Sequence, residues 1–185
     1  MNYQEIQGWF NFEEVYRHAV TANDNCSFLE IGAWLGKSTA FMAKLIKSQG
    51  KNIKLHVVDF WADSGNESQY DKILGQKRHM TLYEEFTRNM KECGVQDVIT
   101  PFKGTSDSFF ESIKDSGMKF NFIYIDGAHE YSQVKRDIEN ALKYIAPGGT
   151  IAGHDYYYGD VNKAVHELLG SVETLSNTWI YKTNV

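Results

Sequence analysis

Three carboxylates and a histidine carry the clearest chemical signal in this sequence. Asp59, Asp126 and the pair His154-Asp155 each close a short apolar run, in HVVD, FIYID and TIAGHD. A second imidazole, His129, stands in the segment DGAHEY just past Asp126. Carboxylates and imidazoles gathered at one edge can bind a divalent cation or move a proton. A purely structural domain has little reason to collect them. Two carboxylates brought together repel unless one is protonated, paired with a base or bridged by a cation. With no cysteine nearby, oxygen ligands plus one imidazole suit Mg²⁺ or Mn²⁺ better than zinc. Asp126, Asp155 and His154 are therefore the candidate metal ligands, and His129 and His154 the candidate bases. The structural alternatives are a helix cap for His129 and a turn cap for Asp155.

A second constellation is the turn EIGAWLGKSTAF. Gly32 and Gly36 allow close backbone approach, and a helix starting at Lys37-Ser38-Thr39 offers its polar N-terminus to a ligand. Two nucleotide readings fail on spacing. A phosphate-cradling P-loop needs four residues between its first glycine and the Gly-Lys-Ser, and here there are three. A dinucleotide fingerprint needs glycine at position 34, where Trp34 stands and would crowd a pyrophosphate. The ligand expected at this turn carries no phosphate there. Asp59 follows Gly36 by 23 residues, close to the spacing of about 20 at which an acidic residue accepts ribose hydroxyls.

The elements that position these residues follow an alternating rhythm of apolar runs and amphipathic helices, the pattern of a parallel α/β sheet. Strands are expected at 26–32, 53–59, 97–104, 119–126 and 150–155, with two more around a Ser176-Asn177 turn. Helices are expected at 12–22, from Lys37, at 81–92, at 106–116, from Tyr131 to Ala146, and over Val161 to Leu169. Pro147-Gly148-Gly149 should stop the fifth helix, and Pro101 should lie near the end of its strand. The fold class is α/β, a doubly wound, mostly parallel seven-stranded sheet with a C-terminal antiparallel hairpin, forming one domain over 1–185. Residues 61–80 form the long irregular segment, expected to be a lid or binding loop rather than a plain surface insertion.

Composition narrows the classes further. At 21.2 kDa the chain can bury about 70% of its extended surface, enough for one packed domain. A net charge of −5 without a Lys/Arg run argues against a nucleic-acid partner. No apolar stretch approaches bilayer length, and the N-terminus lacks a secretory pattern. Cys26 and Cys93 match no metal spacing and suit a reducing compartment, so a cytoplasmic location is expected.

These stretches resemble class I S-adenosylmethionine-dependent methyltransferases, in particular the small group similar to macrocin O-methyltransferases and cephalosporin-hydroxylase-like proteins. The likeness lies in GWFNFEEVY, FLEIGAWLGKSTAFMA, HVVDFW, FIYIDGAHEYSQVKRDIENALKYIAPGGTIAGHDY and the closing two-strand segment. It implies that Glu30, Gly32, Ala33, Trp34 and Gly36, with Ser38 beside them, hold the methionine part of S-adenosyl-L-methionine. Asp59 would bind the ribose, and Thr105 and Ser106 would edge the adenine, with Phe60 and Trp61 as stacking neighbours. Asp126 would face the sulfonium and the acceptor. The implied activity is methyl transfer to a hydroxyl of a small molecule, Mg²⁺-assisted as in such relatives. The alternative is a protein that binds or cleaves S-adenosylmethionine without methyl transfer. Position 154 is His where some relatives carry an acid, and the segment after Asp59 departs from the Gly-Asp-rich lid of relatives. One or two of Tyr156, Tyr157 and Tyr158 are expected in the acceptor pocket, which a homo-oligomeric partner could complete.

Overall fold

The apolar runs read as strands all enter one sheet in the computed structural model, which describes residues 1–61 and 80–184. The strands are β1 (Cys26–Ile31), β2 (Ile53–Asp59), β3 (Ile99–Lys103), β4 (Phe120–Ile125), β5 (Ile145–Gly153), β6 (Glu173–Leu175) and β7 (Thr178–Lys182). Their order is β3-β2-β1-β4-β5-β7-β6. Pairing is parallel from β3 through β5, and β7 runs antiparallel to both β5 and β6. The expected fold class holds. The segment expected to form a lid lies outside the described residues, apart from its ends.

Helices cover both faces. They are α1 (Glu13–Ala22), α2 (Lys37–Ser48), α3 (Leu82–Glu92), α4 (Ser106–Ser112), α5 (Tyr131–Tyr144) and α6 (Gly159–Leu169). Successive strand residues point to opposite faces. Phe28, Leu55, Val57 and Phe122 meet Tyr16, Met42, Phe86 and Met90 from α1 to α3. Their neighbours Leu29, Val58 and Ile123 meet Phe109, Ile138 and Val165 from α4 to α6. Burial on both sides is why these strands read as nearly continuous apolar runs. Each such side chain, fully buried, contributes about 1.5–3 kcal/mol of transfer free energy.

Two boundaries correct the sequence reading. Pro147-Gly148-Gly149 belongs to β5, which starts at Ile145 beside Phe120 and shifts register before Thr150 pairs with Phe122. The helix therefore ends at Tyr144, and the chain turns straight into extended backbone. Pro101 sits in the middle of β3, opposite Val57. It is tolerated because β3 is an edge strand with one unpaired side.

The chain starts its sheet at β1 and adds β2 and β3 to one side, then β4 and β5 to the other. The strand order thus reverses between β1 and β4. Asp59 ends β2, and Gly32, Gly104, Asp126 and His154 follow β1, β3, β4 and β5, all at the carboxyl edge where open α/β sheets bind ligands.

Candidate active site

The first strand–helix turn is held from beneath by a buried carboxylate. Glu30 is fully buried. It accepts the Tyr16 and Ser38 hydroxyls on Oε1 at 2.8 and 2.7 Å, and the Thr39 hydroxyl on Oε2 at 2.5 Å. Burial pushes its carboxyl up, and the three hydroxyls pull it back down. Glu30 thereby fastens α1 and the first turn of α2 to β1. It lies below the floor of the cleft and does not line it.

Two glycines shape the turn, and both answer to packing within the protein. Gly32 has φ +88°, and a Cβ there would lie 2.0 Å from the Asp126 carbonyl oxygen. Gly36, also at +88°, would place a Cβ 2.4 Å from Met90 Cε, away from the cleft. Asp59 holds the turn from the side. Its Oδ2 accepts the backbone N–H groups of Ala33 and Trp34, and its Oδ1 that of Trp61, all at 2.8 Å. The Trp61 indole donates to the Trp34 carbonyl at 2.7 Å, and Asn89 Nδ2 to that of Leu35 at 2.9 Å. Trp61 packs against Tyr83 and Phe86 and also borders the cleft. Phe60 is exposed.

Above this turn opens a cleft of about 840 Å³. It is lined by Gly32, Ala33, Trp34, Ser38, Asp59, Phe60, Thr105, Ser106, Asp126, His129, His154 and Asp155. Of the residues assigned to the site from sequence, only Glu30 and Gly36 stay outside it. Sequence reasoning missed the N-terminal segment, which brings Gln7, Gly8, Trp9 and Asn11 to the wall. The Trp9 ring stacks on Trp34 with centroids 5.5 Å apart, and Lys37 Nζ donates to the Gly8 carbonyl at 3.2 Å. A tryptophan three residues before an amphipathic helix was the available signal.

On the β5 side, one ligand atom each from Asp126, His154 and Asp155 lie within 4.8 Å of one another. His154 Nδ1 is 3.7 Å from Asp126 Oδ1 and 3.4 Å from Asp155 Oδ1. Its Nε2 faces Asn11 Oδ1 at 3.0 Å. His129 Nε2 pairs with Asp155 Oδ2 at 2.7 Å, and Asn177 Nδ2 donates to Oδ1 at 3.0 Å. Asp155 has left-handed backbone, φ +55°, which turns the chain out of β5. Burial, together with the charges of Asp155 and Glu30, pushes the Asp126 carboxyl up to about 8. The three tyrosines depart from expectation, since none lines the cleft. Tyr156 bonds His166, and Tyr157 and Tyr158 are exposed, Tyr158 with its ring 5.6 Å from that of His129.

On the β3 side, Thr105 caps α4 by accepting the Ser108 N–H at 3.1 Å. Ser106 Oγ donates to Asp137 Oδ1 at 2.5 Å. Gln133 Nε2 donates to Asp137 Oδ1 at 3.0 Å and to Ser106 Oγ at 3.2 Å. Asp137 is 1% exposed, and both α5 residues border the cleft. The sequence reading passed over them. The signal was an aspartate inside the apolar stripe Val134, Ile138, Ala141.

A strand-order reversal, a glycine turn and an acid-lined cleft define a Rossmann-like methyltransferase fold. The chain matches a family model described as a methyltransferase domain over residues 29–156 and belongs to that family. It is similar to the O-methyltransferase TomG from Streptomyces achromogenes, involved in tomaymycin synthesis and solved with S-adenosylmethionine. Identity is 16%, over 97% of this chain and 83% of that one, with a TM-score of 0.67. An O-methyltransferase from Bacillus cereus, solved with S-adenosylhomocysteine, matches at 14% identity over 98% and 84% of the two chains, with a TM-score of 0.68. At such identity the likeness is one of fold. Comparison with curated proteins gives no match. Among the described residues no helix is long and apolar enough to cross a membrane.

Proposed function

We propose that this methyltransferase moves the methyl group of S-adenosylmethionine to a hydroxyl of a small-molecule acceptor with the help of Mg²⁺. The observation that carries this reading is a single cleft bordered both by the Gly32–Asp59 turn and by Asp126, His154 and Asp155. Methyl transfer from a sulfonium is an in-line displacement, which demands alignment of acceptor, methyl and sulfur and exclusion of water. The first N–H groups of α2, beside Ser38, lack intrahelical partners and suit the methionyl carboxylate. Among the described residues, Asp59 Oδ1 accepts only the Trp61 N–H, which leaves capacity for a ribose hydroxyl.

Two carboxylates and an imidazole nitrogen fit a hard divalent cation, and its charge would relieve the crowding that pushes Asp126 up. Such a cation, when bound, lowers the pKa of an acceptor hydroxyl. His129 is the base in this reading. Asp155 holds its Nε2, so in the tautomer protonated there, Nδ1 is left to take the hydroxyl proton.

Titration calorimetry with S-adenosylmethionine and S-adenosylhomocysteine tests the donor, and binding in the micromolar range is expected. Release of S-adenosylhomocysteine against a panel of sugar and phenol hydroxyls, with Mg²⁺ and then EDTA, tests the rest. If neither ligand binds, the reading fails. Binding without turnover on any acceptor would favour the alternative, in which the cofactor is bound or cleaved without methyl transfer. Activity indifferent to both Mg²⁺ and EDTA would remove the cation.

A further inference from the structure

We propose that Asp137 recognises the exocyclic amino group of the bound adenine, with Ser106 and Gln133 as the residues that position it. The proposal rests on the S-adenosylmethionine reading and adds to it the residue that selects a 6-aminopurine. Its starting point is an incomplete hydrogen-bond set. Asp137 is 1% exposed yet borders the cleft. Its Oδ1 takes both the Ser106 hydroxyl and the Gln133 amide, whereas among the described residues nothing donates to Oδ2. Oδ2 is not sealed off from the cleft and stands there as an open acceptor. A donor arriving with the ligand would complete the set.

Position identifies the donor. The strand order places the β1 turn, Asp59 at the end of β2 and Gly104-Thr105-Ser106 after β3 side by side along the cleft. A nucleoside with its ribose at Asp59 and its sulfur end toward β1 therefore extends its base toward Ser106. The amino group of adenine is a donor, and a carboxylate oxygen is its complement. Gln133 turns its amide nitrogen to this pair, and its Oε1 accepts from Arg136 instead. Burial pushes the Asp137 carboxyl up, while Ser106 and Gln133 draw it down. In the ionised carboxylate, which those two donors favour, the oxygen facing the base is an acceptor.

The arrangement makes an unusual prediction for Asp137→Asn. Both fixed donors point at Oδ1, so the new amide oxygen must take that place and its NH₂ the place of Oδ2. An acceptor becomes a donor. The probes are S-adenosyl-L-homocysteine and S-inosyl-L-homocysteine, which carries a carbonyl where adenine carries its amino group. By calorimetry, the unaltered protein should bind the adenosyl compound about ten-fold or more tighter. Asp137→Asn should shift that ratio by about ten-fold or more toward the inosyl compound. Equal affinities in the unaltered protein would overturn the proposal, and that measurement stands even if the variant does not fold. An unchanged ratio with both affinities lowered would also overturn it, since Asp137 would then only brace α4 against α5. Failure of the unaltered protein to bind either compound would instead overturn the S-adenosylmethionine reading, and this proposal with it.

Discussion

Asp59 accepts the backbone N–H of Trp34 on Oδ2 at 2.8 Å, sharing that oxygen with the N–H of Ala33. The residue expected to grip a ribose therefore also builds the turn that faces it. Asp59→Ala strands three N–H groups, counting that of Trp61. Because the site is half-buried, the expected loss is about 1–3 kcal/mol in total. Affinity for S-adenosylhomocysteine should fall about ten-fold or more, since both the ribose acceptor and the turn geometry go together. Thermal unfolding paired with calorimetry checks this. A variant that melts like the unaltered protein would show that the turn stands without Asp59.

The fold was legible because the central strands β1, β2 and β4 are buried on both faces and read as apolar runs, and the helices between strands present an apolar stripe. Boundaries failed where backbone pairing overrode composition. Ala146 read as the end of a helix and Pro147-Gly148-Gly149 as its stop, yet all four extend β5 because Ile145 pairs with Phe120. Within the site, residues at strand ends were found because topology sends them to one edge. Asp137 and Asn11 were not, because they reach the cleft from a helix and a leading segment, and Asn177 was not, because it reaches Asp155 from a hairpin turn. Nothing in local pattern ties Asn177 to Asp155 across 22 residues. Glu30 was placed in the cleft because a turn acid and a scaffold acid look alike until the Tyr16, Ser38 and Thr39 hydroxyls are seen around it.

Asp126 gives the site a pH signature. Its carboxyl is raised from 3.8 to about 8, first by burial and then by the charges of Asp155 and Glu30, with His154 Nδ1 at 3.7 Å. The native state thus holds a proton that the unfolded chain has released across that interval. A raised acid favours the fold below the unfolded value, and this contribution is lost as pH rises through about 8. The cation-free protein should therefore lose stability between about pH 5 and 8, and Asp126→Asn should flatten that fall. Mg²⁺ replaces the proton, so it should raise the melting temperature more at about pH 8.5 than at about pH 6. Melting curves with Mg²⁺ or EDTA at both pH values decide the matter. An equal Mg²⁺ effect at the two would mean that the ion does not bind at Asp126.

Gly32 and Gly36 share a φ of +88° but differ in what a side chain would strike. At Gly36 the nearest atom is Met90 Cε, the far end of a flexible side chain, with the Phe86 ring at 2.9 and 3.0 Å beside it. Gly36→Ala should cost about 1–3 kcal/mol, from the left-handed backbone and the shift of these two side chains. At Gly32 the obstacle is the Asp126 carbonyl, with the Gly127 nitrogen at 2.8 Å behind it. That carbonyl belongs to the chain leaving β4, whose Asp126 N–H donates to the Ile31 carbonyl at 2.7 Å. Relief at Gly32→Ala requires prising β1 from β4 at the point where strand order reverses, at a cost above about 3 kcal/mol. The same movement displaces Asp126 from His154 and Asp155, so any Mg²⁺ stabilisation should vanish in Gly32→Ala and persist in Gly36→Ala. Urea unfolding of the two variants, with and without Mg²⁺, separates backbone strain from damage to the site. Equal losses in both would mean that the β1–β4 contact yields as readily as the Met90 and Phe86 side chains.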